Sequence, residues 1–73
     1  MNTVRIYIDE NLDASRLRGL KQMIQEIPHV LDVEVSDKEP HEVVVEYEEQ
    51  QNMPVRLIEI LREQGYHPDI LSP

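Results

Sequence analysis

The feature that most constrains this chain is a change in apolar spacing between Leu20 and Val35. Apolar residues three or four apart, which line one side of a helix, give way after Pro28 to apolar residues two apart, which line one side of a strand. Pro28 has no amide to donate and disfavours helical geometry at the residue before it, so the helix is predicted to end at Ile27. The helical series is Leu17, Leu20, Ile24 and Ile27, and the strand series is Leu31, Val33 and Val35.

The N-terminal third is predicted to form a strand and this first helix. In the strand, apolar residues at even positions alternate with polar ones. Asp13 has a side chain that accepts hydrogen bonds from free helix amides, so the helix is expected to run from Ala14 to Ile27. Gly19 inside it indicates close packing of the helix on a sheet. The apolar strand residues are Val4, Ile6 and Ile8.

The C-terminal half is predicted to add a strand, a helix and a last strand. The turn-rich residues 36–40 join the second strand to a third strand that is apolar at odd positions. Asn52 is a potential helix cap, Pro54 suits the first helical turn, and Gly65 ends the helix. The last strand, 66–71, contains Pro68, which restricts it to a sheet edge. The inward residues are Val43, Val45 and Tyr47 in the third strand and Val55, Leu57, Ile58 and Leu61 in the second helix.

The order of these elements predicts one domain over residues 1–73. Two right-handed crossovers joined by a hairpin give an α+β ferredoxin-like βαββαβ sandwich, with a four-stranded antiparallel sheet and two helices on one face. In this arrangement the first and third strands are central and the fourth is at an edge.

Charge and cysteine content exclude several classes of function. The 73 residues carry 15 acidic and 7 basic side chains, a net charge of −8 that opposes nucleic acid and anionic membranes and favours a basic or mixed-charge protein partner. There is no cysteine, so neither a disulfide nor a thiolate metal site is possible. The N-terminus does not resemble a signal peptide, and we expect a soluble cytoplasmic protein, monomeric or weakly dimeric. No nucleophile with its base is apparent, so we expect no enzyme and no cofactor.

Three stretches resemble the heavy-metal-associated (HMA) domain of copper chaperones and metal-transporting ATPases, and together they span almost the whole chain. They are residues 27–35 at the junction, the third strand 43–47, and the closing segment 60–66 with its Gly65-Tyr66 pair. The resemblance implies the ferredoxin-like fold. In copper-carrying members, two cysteines three apart bind the metal at the entry to the first helix, and a methionine precedes them. Those positions are Asp13, Arg16 and Asn11 here, so no metal ligand of the family carries over.

Two small clusters of polar residues, at the start of the first helix and near it, are further candidate sites. The topology brings His41 and His67 to the same sheet end as Asp9 and Asp13, where imidazole and carboxylate ligands suit Zn(II), Ni(II) or Cu(II). His29 lies at the opposite end. A helix N-terminus attracts anions, and three cations lie on the first helix, although a solvated basic face is the simpler interpretation. These cations are Arg16, Arg18 and Lys21.

The sheet face away from the helices is the third candidate site. It is predicted to be strongly acidic, with Tyr7 and Val44 as a small apolar centre, and a salt-sensitive dock for a basic protein would follow from this composition. An ordinary solvated sheet face is the alternative. The remaining members of this surface, which we call the open face, are Arg5, Asp32, Glu34, Glu42, Glu46 and Glu48.

Three hypotheses about function follow. The first is a protein-interaction or regulatory module that kept the HMA-like shape and docking surface and lost the thiolate site. The second is binding or transfer of a borderline divalent metal by histidine and aspartate. The third, supported by topology alone, is a small-ligand regulatory domain.

Overall fold

A computed structural model describes residues 2–35, 38–49 and 52–72 of the chain. It contains six elements in the predicted order. They are β1 (Asn2–Ile8), α1 (Ala14–Gln25), β2 (Val30–Val35), β3 (Glu42–Tyr47), α2 (Met53–Glu63) and β4 (Pro68–Ser72). Residues 36, 37, 50 and 51 lie outside the described residues, so the predicted turn at 36–40 and the segment that joins the third strand to the second helix are seen only in part.

The four strands form one sheet in the order β2-β3-β1-β4, and all three neighbouring pairs are antiparallel. The predicted ferredoxin-like fold is therefore confirmed, with β1 and β3 central. Pro68 begins β4, which is at an edge of the sheet as predicted, so its missing amide removes nothing from a central ladder. The strand begins two residues later than predicted, at Pro68 and not at Tyr66.

The core lies between one sheet face and both helices. Val4, Ile6 and Ile8 of β1 and the odd residues of β3 are buried, as their alternation predicts, and they join buried residues of α1 and α2 in one cluster. No charged or polar side chain of the described residues is buried. The cluster contains Val4, Ile6, Ile8, Leu12, Leu17, Leu20, Ile24, Val33, Val43, Val45, Tyr47, Met53, Leu57 and Leu61.

The end of α1 differs from the prediction by two residues. The helix ends at Gln25, and the amide of Ile27 donates to the carbonyl of Ile24 in a tight turn. His29 then adopts a left-handed conformation, with φ of 75°, immediately before β2. Because Pro28 disfavours helical geometry at Ile27, the chain uses residues 26–29 to reverse direction. Ile27 still packs against the core from outside the helix.

Each edge strand contains a register shift that leaves a leucine exposed. In β2 the shift falls between Val30 and Asp32, so Leu31 is an extra residue opposite β3 and is 50% exposed, which makes its predicted burial wrong. Val30 packs against the core in its place. In β4 a shift leaves Leu71 unpaired and 53% exposed. Such irregularities at sheet edges reduce the chance of pairing with another chain.

The second helix ends as predicted but begins differently. The amides of Gly65 and Tyr66 donate to the carbonyls of Arg62 and Leu61, the hydrogen-bond pattern of a Schellman motif, and Gly65 has the positive φ, 91°, that this motif requires. Asn52 occupies the N-cap, but its side chain makes no capping hydrogen bond since its backbone is left-handed. Pro54 lies in the first turn, as expected.

The predictions of close packing at Val55 and at Gly19 are both wrong. Val55 is 53% exposed, and Met53, two residues earlier, is buried instead. The start of α2 at Met53 rotates that residue toward the sheet, about 160° around the helix from Val55. Gly19 is exposed, and a methyl group added there would meet no atom within 4 Å. The glycine therefore does not mark a close approach of α1 to the sheet.

Candidate functional site

The loop entering α1 holds the two positions where the HMA resemblance places cysteines. Asp13 is the N-cap of α1, and its carboxylate accepts a hydrogen bond of 2.8 Å from the backbone amide of Arg16. Both residues are exposed. The cap was predicted from the sequence and is confirmed. The Asp13 carboxylate thus caps α1 by accepting a hydrogen bond from a free helix amide, which stabilises the helix start.

His41 is held at the end of β1 by two hydrogen bonds to Ile8. The amide of Ile8 donates to the carbonyl of His41 at 2.7 Å, and Nδ1 of His41 lies 2.8 Å from the carbonyl oxygen of Ile8. A carbonyl oxygen can only accept, so this contact places the ring proton on Nδ1. The ring also stacks on Tyr7, with centroids 5.3 Å apart. These contacts set the orientation of the imidazole.

His67 contacts Glu10, a residue outside all the predicted sites. The carboxylate of Glu10 accepts the backbone amide of His67 at 2.9 Å and also forms a salt bridge with its Nδ1. The hydrogen bond to Glu10 raises the pKa of His67, and the same bond lowers the pKa of Glu10. The contact connects the loop before α1 to the start of β4. Nothing local in the sequence predicts it, because 57 residues separate the partners.

The candidate metal ligands reach the same end of the sheet but do not converge. The carbonyl of His67 accepts from Asp9 as that of His41 accepts from Ile8, so both histidines flank the end of β1 as the topology predicted. Within residues 2–35, 38–49 and 52–72, no three His, Asp or Glu side chains form a group that could hold a metal ion. His29 is exposed, next to Val30 at the start of β2.

The three cationic side chains of α1 do not cluster on one side of the helix. Arg16 and Arg18 are exposed, whereas Lys21 is half-buried and lines a hollow beside β2. Lys21 lies five positions after Arg16, which places their side chains roughly 140° apart around the helix. Asp13 already accepts the Arg16 amide at the helix start.

The open face is built from three adjacent strands. Arg5 of β1 and Glu34 of β2 lie directly on either side of Val44 in β3. Arg5 also reaches diagonally to Glu42, with Nε 2.9 Å from the carboxylate. Val44 and Tyr7 are half-buried. The predicted apolar centre is therefore small, and acidic side chains surround most of it.

One register pair on this face sets two acids against each other. Asp32 lies directly opposite Glu46, and both side chains are half-buried. On the other side of Glu46 the neighbour is Thr3, which has no charge. The salt bridges found among the described residues, Arg5–Glu42 and His67–Glu10, include neither acid. Like charges directly opposite in a sheet destabilise it.

A hollow of about 360 Å³ lies where the open face meets the β2 edge. Its lining combines two valines with side chains of both charges. We call it the edge hollow, and its lining residues are Arg5, Lys21, Glu34, Val35, Glu39, Glu42 and Val44. A second, more polar depression beside His67 is lined by Asp9, Arg62, His67, Pro68 and Asp69.

The order of the six elements and of the four strands defines a class of fold, the ferredoxin-like βαββαβ sandwich, and the loop before α1 carries a helix cap at Asp13. No family model and no curated protein matches the chain. Solved structures do match, and the resemblance found in the sequence is confirmed at the level of the fold. No helix of the described residues is long and apolar enough to cross a membrane.

Three of these solved structures illustrate the likeness. One, described as "Crosstalk between Cu(I) and Zn(II) homeostasis", has a TM-score of 0.81 and 21% identity over 97% of this chain and 100% of its own. The N-terminal domain of PacS from Synechocystis PCC6803 has a TM-score of 0.80 and 21% identity over 99% and 100%. A copper-binding domain from HMA7, a P-type ATPase, has a TM-score of 0.80 and 12% identity over 99% and 96%.

Proposed function

We propose that this chain is a non-enzymatic protein-interaction module that docks a basic or mixed-charge protein on its open face. The observation that carries this proposal is the register pair of Asp32 and Glu46. These two half-buried acidic residues lie directly opposite each other in β2 and β3, an arrangement of like charges that destabilises a sheet. A cationic group of the partner that binds between them relieves that repulsion. Binding of the partner therefore depends on the negative charge of the open face.

The neighbouring residues extend this surface. Glu34 and Glu48 are exposed, and Val44 and Tyr7 provide a half-buried apolar centre. Complementary charge mainly accelerates association and selects the partner, while the apolar centre contributes contact area. The binding is therefore expected to weaken as salt concentration rises. The two positions where the HMA resemblance places cysteines, Asp13 and Arg16, support the same proposal, because Asp13 serves as a helix cap.

The test compares two variants with equal loss of negative charge. The face variant replaces Asp32 with Asn and Glu46 with Gln. The control variant replaces Glu59 and Glu63, both exposed on α2, with Gln. Each chain carries a photo-crosslinking amino acid at Thr3 and is incubated in an extract of the cells that produce it, at low and high salt.

The proposal expects one or a few proteins to crosslink to the wild type and to the control at low salt. The same proteins should be lost with the face variant and at high salt. The face variant should also unfold at a higher urea concentration than the wild type, since the repulsion is gone. If the face variant crosslinks to the same proteins as the control, the open face is not the docking surface.

A second candidate, binding of a borderline divalent metal, is favoured by the orientation of His41. Its Nδ1 proton lies against the carbonyl of Ile8, which leaves Nε2 as the free ring nitrogen. Histidines that bind metals are commonly held in this way. Titration with Zn(II), Ni(II) or Cu(II) distinguishes the candidates: stoichiometric NMR shifts at both His41 and His67 would favour metal binding over docking, and unchanged spectra would remove the metal candidate.

A further inference from the structure

We infer that the edge hollow receives a single arginine or lysine side chain of the docked protein. This inference rests on the proposed function and names the part of the partner that enters the surface. The hollow borders the open face directly, because Glu34 and Val44 belong to both. A partner docked over the Asp32–Glu46 pair therefore lies beside the hollow and can place a side chain in it.

The lining matches the two parts of a long basic side chain. Val44 on the open face offers apolar contact for the methylene stem, which arginine and lysine commonly bury while their charged group reaches polar surroundings. The lining also contains three carboxylates, of Glu34, Glu39 and Glu42, together with the cations Arg5 and Lys21. The planar guanidinium of arginine, which binds carboxylates through two parallel hydrogen bonds, suits such a site better than an ammonium.

The charge balance of the lining favours a cation over an anion or a neutral ligand. Glu42 is already paired with Arg5 at 2.9 Å. The remaining charged residues of the lining are Glu34, Glu39 and Lys21, which leaves an excess of one carboxylate. The volume of about 360 Å³ is at the small end of ligand sites, which suits one side chain and not a large cofactor.

The test uses two peptides of nearly the same shape, one with a charged and one with a neutral central side chain. A five-residue peptide, blocked at both ends, carries a central arginine between glycines, and its control carries citrulline, the uncharged analogue of arginine. Each is titrated to millimolar concentration into the ¹⁵N-labelled wild-type chain. The inference expects the arginine peptide to shift the amides of Glu34, Val35 and Val44, and the citrulline peptide to shift none.

Variants locate the charge contact. Glu34→Gln and Glu39→Gln should each weaken binding of the arginine peptide about two- to fivefold, the usual range for one exposed ion pair, and Glu59→Gln on α2 should leave it unchanged. Equal shifts with citrulline, or no shifts with arginine, would overturn the inference. Tighter binding of free arginine than of the blocked peptide would assign the hollow to a small molecule and overturn it as well.

The two proposals fail separately. If the arginine peptide does not bind but the Thr3 crosslinks still depend on Asp32 and Glu46, only the hollow is wrong. If the peptide binds the hollow but the crosslinks do not depend on the open face, the proposed docking surface is wrong.

Discussion

The two glycines are expected to respond in opposite directions to the same substitution. Gly19 lies in the interior of α1, exposed, with no atom within 4 Å of an added methyl group. Gly19→Ala should stabilise the fold by about 1 kcal/mol, because alanine loses less conformational entropy in a helix. Gly65 also has open space around it, but its φ is 91°. Gly65→Ala should therefore destabilise by about 1–2 kcal/mol through backbone strain alone.

These changes are large relative to the stability of a chain of this size. At roughly 0.05–0.15 kcal/mol per residue, 73 residues correspond to about 4–11 kcal/mol. With a urea slope of about 1 kcal/mol per molar, Gly19→Ala should raise the unfolding midpoint by about 1 M and Gly65→Ala should lower it by about 1–2 M. The corresponding melting temperatures should move by about 4–8 °C per kcal/mol.

A third variant isolates the cause. Gly65→Asn should lose less stability than Gly65→Ala, because asparagine adopts left-handed geometry more readily. Urea unfolding followed by circular dichroism measures all three variants against the wild type. A midpoint for Gly19→Ala below that of the wild type, or a midpoint for Gly65→Ala within about 0.3 M of it, would refute the reasoning.

Three further predictions concern the cap, the histidine tie and the β2 edge. Asp13→Ala should cost about 1 kcal/mol in urea unfolding, because the Arg16 amide loses its acceptor. The hydrogen bond with Glu10 raises the pKa of His67. The stability that this contact contributes is therefore complete below the ordinary histidine pKa and is lost as pH rises through the raised pKa of His67. Glu10→Gln should lower the pKa of His67 in an NMR titration. On the acid side the pKa of Glu10 is lowered, so its share is lost as pH falls through that lowered value. Leu31→Ser should change stability by less than about 0.5 kcal/mol, because the side chain is half exposed, and a loss above 2 kcal/mol would place it in the core.

Local patterns predicted the fold well because they record burial. Alternation at even positions of β1 and odd positions of β3 identified the inward face of both central strands, which the structure confirms. The predictions failed where one residue was inserted or displaced. Leu31 satisfies the alternating pattern in the sequence, but the register shift beside it reverses the expected side, and only strand pairing determines where such a shift falls.

The candidate site was predictable in composition and not in arrangement. Its acidic character follows from the sequence. The direct opposition of Asp32 and Glu46 requires the register of β2 against β3. The tie between His67 and Glu10 and the place of Lys21 in the edge hollow also require the packed structure, since each joins residues far apart in the chain.

The amino-acid sequence by itself determined the order of elements, the cap at Asp13, the left-handed stop at Gly65 and the absence of any thiolate, because each depends on one residue or on its near neighbours. Tertiary structure alone decided which acids face each other, which leucines leave the core and what each histidine binds. Those contacts depend on strand register and on the packing of distant segments, and a one-residue slip in register would change all of them.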